Sequence, residues 1–210
     1  TGVSPDAAAH VEAAGAVPFD IPPLAGLRIA PLDETAVAEP LGKDGADQVA
    51  ALIYTSGTTG QPKGVMLTHD NLLFIAEVSG SIRAIGPNDL AYGVLPTSHV
   101  FGLASVFLGT LAHGGHLHTV SRFAPKEAAR ALAEDGVTIF QGVPAMYAHL
   151  LELAAKNGTP LPAPKLRYLS AGGAPLDLTI KTKIEAMWKQ PLHNGYGLTE
   201  TAPTVTTTRM

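Results

Sequence analysis

The amino-acid sequence predicts an α/β fold in which helices flank a mostly parallel sheet. Short apolar runs alternate along the chain with longer helical stretches. This alternation is typical of strand and helix units whose strands run parallel and are covered on both faces. With 210 residues, of which 46% are hydrophobic, the chain is able to bury a sizeable core. Proline and glycine also stand where helices are expected to begin and end.

The elements follow a change in composition near residue 49. Residues 1–48 are rich in Pro, Ala and Gly and lack periodicity, which predicts an irregular connecting segment with one short helix at 5–14. Residues 49–210 are predicted to form the α/β subdomain. Apolar, partly β-branched runs predict strands at 49–54, 90–95, 116–120, 137–142, 166–171 and 192–196. Helices are predicted at 70–82, 99–112, 125–134, 144–156 and 176–189, with Pro125 at a start and Gly136 and Gly158 at ends.

Charge and composition exclude several classes of function. A net charge of −4 and a pI near 6.0 argue against nucleic acid and anionic membranes as main partners. The chain has no cysteine, so it forms no disulfide, which fits a cytoplasmic enzyme. Its continuous apolar run, residues 100–112, would make a helix of about 20 Å, too short for a hydrocarbon core of about 30 Å. The N-terminus has no signal-peptide pattern, and no integral membrane segment is predicted.

The most informative segment is residues 54–65, which read YTSGTTGQPKGV. Its glycines allow backbone N–H groups to converge on phosphate oxygens, its hydroxyls add donors, and Lys63 adds a compact positive charge. The apolar run before it predicts a buried strand, so the loop is expected at a strand end, where open α/β sheets bind ligands. The segment therefore predicts a polyphosphate site.

Neither a Walker A loop nor a flexible linker fits this segment as well. A Walker A loop requires glycine before the lysine and serine or threonine after it, but Pro62 and Gly64 occupy these positions. A P-loop kinase or GTPase is therefore disfavoured. A flexible surface linker rarely stands between a buried strand and a well-formed helix.

Three later segments strengthen this interpretation. They read LPTSHVFGL at 95–103, SAGGAPL at 170–176 and NGYGLTE at 194–200. With the loop at 54–65 they resemble, in order and spacing, the signature of the adenylate-forming enzymes: acyl- and aryl-CoA synthetases, luciferase-like proteins and the adenylation domains of peptide synthetases. The resemblance covers nearly the whole chain from about residue 49. It implies a central piece of the large N-terminal domain of such an enzyme, without the C-terminal mobile domain.

The resemblance implies roles for individual residues. The β- and γ-phosphates of ATP would be held by Thr55, Ser56, Gly57, Thr58, Thr59, Gly60 and Lys63. The adenine site would be lined by Gly172, Gly173, Ala174 and Pro175 and closed by Asn194, Gly195, Tyr196 and Gly197. Thr199 would touch the α-phosphate, and Glu200 would hold Mg²⁺, for which a carboxylate is a suitable ligand. His99 would lie at the carboxylate end of the acyl pocket. The catalytic set is thus Lys63, His99, Thr199 and Glu200.

Each of these segments also has a simpler interpretation when taken alone. GGAP is an ordinary turn sequence, Tyr196 is a candidate for packing, Glu200 for a solvated acid, and His99 for a satisfied core or capping histidine. His113, His116 and His118 form HGGHLH, in which the last two would share one strand face. That pattern is weak evidence for a metal site because no carboxylate or cysteine lies nearby in sequence.

The resemblance implies two half-reactions that use ATP, Mg²⁺ and coenzyme A. A carboxylate attacks the α-phosphorus and releases pyrophosphate, and a thiol then takes the acyl group. Residues 100–109 and 141–150 are expected to wall an apolar pocket, which suits a fatty or aryl acid. A peptide-synthetase adenylation domain is the rival within the family, but no aspartate lies between Leu90 and Thr119 to pair an α-amine. A non-catalytic nucleotide-binding module is the rival from another class.

Overall fold

The computed structural model describes residues 46, 48–55 and 62–208. All of them belong to one compact unit, Gly42–Met210. The predicted irregular segment 1–48, including its helix at 5–14, therefore lies outside the described residues except for Ala46 and Gln48.

A six-stranded sheet organises the described residues. Its strands are β3 Leu90–Gly93, β4 His116–Thr119, β5 Ile139–Gly142, β6 Tyr168–Ala171, β7 Leu192–Gly197 and β8 Thr204–Thr207, in the order β4-β3-β5-β6-β7-β8. All neighbours from β4 to β7 run parallel, and β8 returns antiparallel to β7. The predicted α/β fold with a mostly parallel sheet is confirmed. The edge strand β8 was not predicted, because its short TVTT sequence lacks a buried apolar face.

The first two strands form a separate antiparallel hairpin, β1 Val49–Thr55 and β2 Lys63–Thr68. The prediction of a buried strand ending at the mouth of the main sheet was wrong, because β1 is not part of that sheet and Ile53 is its one buried residue. The loop also leads into β2, not directly into a helix. In the KGVMLT sequence of β2, the less exposed residues Val65 and Leu67 alternate with exposed ones. This two-residue period is too short to predict a strand next to a segment rich in glycine.

The helices occupy nearly the predicted ranges. They are α1 His69–Ile82, α2 Gly109–Ala112, α3 Pro125–Arg130, α4 Pro144–Asn157 and α5 Leu178–Trp188. A π-helical segment, Phe101–Leu108, runs directly into α2, and a second, Ala131–Asp135, continues α3. Among the residues described, no helix combines the length and apolar character needed to cross a bilayer.

Local sequence explains where these helices begin and end. The Thr68 hydroxyl accepts a hydrogen bond from Asn71 N–H, and the Asn71 side chain accepts one from Thr68 N–H. These reciprocal bonds satisfy two amides at the start of α1. Pro125 lies in the first turn of α3. Gly136 and Gly158 end their helices at φ of 81° and 67°, the left-handed conformation that glycine adopts readily.

The side chains of the sheet alternate between two apolar layers. Phe140, Leu169 and Leu192 pack with buried residues of α4 and α5 on one face. On the other face, Ile139 and Tyr168 pack with a smaller cluster near the end of α1. Burying one such side chain contributes about 1.5–3 kcal/mol, so the strands are held from both sides.

A polar network ties the start of β3 to the start of β6. Arg167 donates to both carboxylate oxygens of Asp89, at 2.7 and 2.6 Å. The Thr138 hydroxyl donates to Asp89 at 2.7 Å, and Gly86 N–H donates at 2.9 Å. Burial by itself would raise the pKa of the Asp89 carboxyl, but these hydrogen bonds together hold that pKa below its ordinary value.

Candidate functional site

A cavity of about 490 Å³ opens where the hairpin, the start of the π-helical segment 101–108 and the carboxyl ends of β6 and β7 meet. It brings together residues from all four motif segments, at 54–65, 95–103, 170–176 and 194–200. Its lining consists of Thr55, Lys63, His99, Val100, Phe101, Gly172, Gly173, Gly195, Tyr196, Gly197, Leu198, Thr199, Glu200, Pro203 and Thr204. Ten of these fifteen residues are predicted site residues.

The hairpin contributes the only lysine of the cavity lining among the described residues. Thr55 and Lys63 are paired across β1 and β2, so they frame the loop between the strands. Lys63 is exposed, and within the described part of the chain its ammonium group has no carboxylate within salt-bridge distance. Its positive charge is therefore available to an anion. The predicted phosphate-binding residues Ser56, Gly57, Thr58, Thr59 and Gly60 lie outside the described residues.

His99 stands at the entrance to the π-helical segment 101–108. Its Nδ1 accepts a hydrogen bond from Phe101 N–H at 3.1 Å. A ring nitrogen that accepts this bond carries no proton, so the proton of the neutral ring is on Nε2. Because His99 lines the cavity and is exposed, the structure leaves Nε2–H as a donor toward a ligand.

Glycines at the ends of β6 and β7 allow neighbouring groups to approach the backbone closely. Gly173 has a φ of 78°, which L side chains rarely adopt. A Cβ at Gly172 would lie 3.0 Å from the ring of Phe101. At Gly197, a Cβ would lie 1.5 Å from the carbonyl oxygen of Pro203. The close approach of the β7–β8 connection therefore requires glycine at position 197, independently of any ligand in the cavity.

A 3₁₀ turn, Thr199–Thr201, places the Thr199 and Glu200 side chains in the cavity lining. Leu198 N–H donates to the Thr201 hydroxyl oxygen at 3.0 Å, and that oxygen lies 2.9 Å from Pro203 O. These contacts hold the turn. Glu200 is exposed, and within the described residues no three His, Cys, Asp or Glu side chains are grouped as a metal cage would require.

A site for Mg²⁺ does not need such a cage. This ion keeps several waters and is usually held by one or two carboxylates together with substrate phosphates. One exposed carboxylate facing the same cavity as an unpaired lysine suits that arrangement. Tyr196 lines the cavity and is 61% exposed, so its side chain is accessible to a ligand.

Three predicted adenine-site residues do not line this cavity. Ala174 and Pro175 are exposed beyond Gly173. Asn194 belongs to β7, and its backbone N–H donates to the Thr208 hydroxyl at 3.0 Å. Their roles stay predictions. In turn, Pro203 and Thr204 line the cavity although they were not predicted from the sequence. Thr204 begins the β-branched TVTTT run and Pro203 directly precedes it. The closeness of this run to the NGYGLTE segment was the signal that could have indicated both residues.

The histidines of HGGHLH point to separate environments. His113 Nε2 lies 3.6 Å from a Glu77 carboxylate oxygen. His118 Nδ1 lies 3.5 Å from Asp135, and its ring stacks on Tyr92 at 5.4 Å. His116 is exposed at the first position of β4. A carboxylate distant in sequence is thus near His118, but the three rings do not share one set of partners.

Comparison with known proteins places this cavity in context. A model of the AMP-binding enzyme family matches residues 7–210. The chain is 36% identical over 191 residues to a putative 4-coumarate–CoA ligase-like 8 of Oryza sativa subsp. japonica, covering 83% of this chain and 31% of that protein. It is 32% identical over 162 residues to a long-chain-fatty-acid–CoA ligase of Bacillus subtilis (strain 168), covering 76% and 29%.

The backbone is also similar to solved structures. One is a malonyl-CoA ligase in a ternary product complex with methylmalonyl-CoA and AMP bound. The TM-score is 0.72 at 34% identity, over 83% of this chain and 37% of that one. The chain therefore spans between 29 and 37% of the length of these three proteins.

Proposed function

The chain belongs to the AMP-binding enzyme family, and on that premise we propose that the protein carrying it is an ATP-dependent carboxylate–CoA ligase. In the proposed reaction an acid becomes an acyl-adenylate and the acyl group then passes to coenzyme A. The observation that carries the proposal is the single cavity that unites Lys63 with Gly195–Glu200. Segments more than 130 residues apart in sequence meet there, as one nucleotide spanning from triphosphate to base requires.

ATP is proposed to lie with its triphosphate toward the hairpin. Lys63 and the loop 55–60 bind the β- and γ-phosphates, and the lysine acts as a point charge. Gly172 and Gly173, with Ala174 and Pro175 beyond them, flank the adenine. Tyr196 stacks on the base, and Asn194, Gly195 and Gly197 complete that side. The support is that an exposed lysine and a glycine-rich stretch of backbone line the same cavity.

Glu200 is proposed to hold Mg²⁺, with waters and phosphate oxygens as its other ligands. Bound there, the ion supplies positive charge against the phosphate oxygens. Among the described residues Glu200 is the one acid in the cavity lining, and one or two protein carboxylates are the usual number for this ion.

During the first half-reaction, residues of this chain would stabilise the negative charge on the phosphates and orient the substrate carboxylate. One oxygen of the substrate carboxylate bonds to the α-phosphorus, and the bond from that phosphorus to the bridging oxygen of pyrophosphate breaks. Thr199 donates to the α-phosphate, while Lys63 stabilises the departing pyrophosphate. His99 donates from Nε2–H to the carboxylate and orients it. Such preorganised donors supply a large part of many rate enhancements.

In the second half-reaction the thiolate of coenzyme A attacks the acyl carbon, and the bond to AMP breaks. The acyl group is proposed to be a fatty or aryl acid, because residues 100–109 and 141–150 are mostly apolar and the first segment begins in the cavity lining with Val100 and Phe101. The carboxylic acid and coenzyme A are the proposed partners, and the proposed location is cytoplasmic.

Pyrophosphate exchange into ATP tests this proposal with the complete natural protein. A panel of fatty, aryl and amino acids is offered one at a time with MgATP. Exchange that depends on a fatty or aryl acid is expected. Exchange with amino acids alone would favour a peptide-synthetase adenylation domain, and nucleotide binding without exchange would favour a non-catalytic module.

A further inference from the structure

The turn that brings Thr199 and Glu200 to the cavity is closed by the side chain of Thr201. The Thr201 hydroxyl oxygen accepts a hydrogen bond from Leu198 N–H at 3.0 Å and lies 2.9 Å from both Leu198 O and Pro203 O. Its single proton serves one of these two carbonyls at a time. The hydroxyl therefore joins the residue before the turn to the residue that leads into β8.

The carboxylate that this turn carries has no contact of its own to fix it. Within the described part of the chain, the Glu200 side chain makes no ion pair and no hydrogen bond. The backbone holds the turn through Thr201 N–H, which donates to Leu198 O at 3.1 Å. A 3₁₀ turn has poorer hydrogen-bond geometry than an α-helix. The place of the carboxylate therefore depends on the additional bonds of the Thr201 hydroxyl, although Thr201 is outside the described cavity lining.

The residue that follows the turn is held in a strained conformation against the hairpin. Ala202 has a φ of 59°, in the left-handed region that is unfavourable for residues other than glycine. It is buried in the apolar cluster that includes Ile53 of β1 and Leu67 of β2. Such a conformation persists only where the surrounding contacts enforce it. The turn is thus fixed to the two strands that carry Lys63, which sets the position of Glu200 relative to this lysine.

We propose that Thr201 is a positioning residue, whose hydroxyl fixes the turn so that Thr199 and Glu200 face the bound nucleotide. The inference rests on the proposed ligase function, which it deepens by assigning the geometry of the site to a side chain that does not touch the ligand. Misplacing a catalytic group by about 1 Å can lower a rate about 10²-fold. Lys63 is held separately, by the pairing of β1 with β2, so binding of ATP itself depends less on this hydroxyl.

The test compares two substitutions of Thr201 in the complete natural protein. Thr201→Val keeps the branched shape of the side chain but removes the hydroxyl, so Leu198 N–H loses its side-chain acceptor. Thr201→Ser keeps the hydroxyl. Thr182→Val is the matched control, because the Thr182 hydroxyl also donates to a backbone carbonyl, Leu178 O at 2.9 Å, and lies on an exposed part of α5 outside the cavity.

Kinetics with an acid that supports exchange give the first measurement. Thr201→Val is expected to lower kcat about tenfold or more. The KM for ATP is expected to change less than about threefold, because the interactions lost act mainly in the transition state. Thr201→Ser should restore most of kcat, and Thr182→Val should leave it unchanged. An unchanged kcat in Thr201→Val, or an equal loss in Thr201→Ser, would overturn the inference.

A double-mutant cycle with Glu200→Gln separates positioning from a general structural role. If the Thr201 hydroxyl acts through the Glu200 carboxylate, the two substitutions are not additive. Thr201→Val should then lower kcat much less in the Glu200→Gln background than in the natural protein. The same fold loss in both backgrounds would show that the two side chains act independently, which contradicts the inference.

Hydrogen exchange of the nucleotide-free protein tests the turn without any activity. The Leu198 amide should exchange about tenfold faster in Thr201→Val, the value of one hydrogen bond, and as in the natural protein in Thr201→Ser. An unchanged rate at Leu198 would overturn the inference. So would a melting temperature of Thr201→Val far below that of Thr182→Val, which would make Thr201 a determinant of the whole fold. Absence of exchange of pyrophosphate with every acid would instead overturn the proposed function, while the Leu198 amide would still decide whether the hydroxyl holds the turn.

Discussion

Replacing Lys63 by alanine isolates the interaction on which the proposed nucleotide site most depends. Lys63 is the first residue of β2, is exposed, and has no ion-pair partner among the described residues. Its removal should therefore change the free energy of unfolding by no more than about 0.5 kcal/mol. Any loss of affinity for ATP would then reflect a lost contact with the ligand.

The size of that loss follows from the type of contact. A hydrogen bond to a charged group contributes about 1.5–3 kcal/mol, which is about a 10- to 150-fold change in Kd. Because solvent reaches Lys63, the lower part of this range is expected, about tenfold at physiological salt. The loss should shrink as salt is added.

Calorimetric titration of the complete protein measures the effect with two ligands. ATP should bind about tenfold more weakly to Lys63→Ala, whereas AMP, which has no β- or γ-phosphate, should bind equally well. Lys126→Ala is the matched control, since it removes an exposed lysine of α3 outside the cavity. Equal losses for ATP and AMP would refute the placement of Lys63 at the terminal phosphates. An unchanged ATP affinity would remove Lys63 from the site.

Two further substitutions test the structure around the site. Asp89→Asn removes the charge held by Arg167 and should lower the free energy of unfolding by about 1.5–3 kcal/mol at pH 7. Because the folded-state pKa of Asp89 is lowered, the stabilisation by its carboxylate is present above the unfolded pKa of about 3.9 and is lost as the pH falls through the folded pKa. In urea unfolding, the stabilities of the two proteins should therefore converge in acid. A constant difference down to pH 2 would contradict this. Gly197→Ala places a Cβ 1.5 Å from Pro203 O and should lower the free energy of unfolding by about 3 kcal/mol or more, measured as faster hydrogen exchange in β7 and β8. The control Gly86→Ala places its Cβ in open space and should be neutral or stabilising by up to about 1 kcal/mol. Similar hydrogen exchange in both variants would contradict the close approach at Gly197.

The sequence predicted the secondary structure best where residues close together in the chain determine it. The alternation of apolar runs and helical stretches predicted the parallel sheet from β3 to β7, and helix ends followed from Pro125, Gly136 and Gly158. Predictions failed for the β1–β2 hairpin and for β8. Both depend on a partner strand, and neither KGVMLT nor TVTT carries enough buried apolar surface to signal a strand by itself.

The motifs and their spacing along the chain identified the candidate site residues, because the chemical properties of hydroxyl groups, glycines and a lysine are known from the sequence alone. Only the tertiary structure decided which of them share a cavity: Thr55, Lys63, His99 and Glu200 meet, while Ala174, Pro175 and Asn194 lie outside the lining. It also revealed the Thr201 hydroxyl between Leu198 and Pro203. The reason is physical. Burial and hydrogen bonding are properties of neighbours in space, and for residues distant in sequence those neighbours exist only once the strands have been placed side by side.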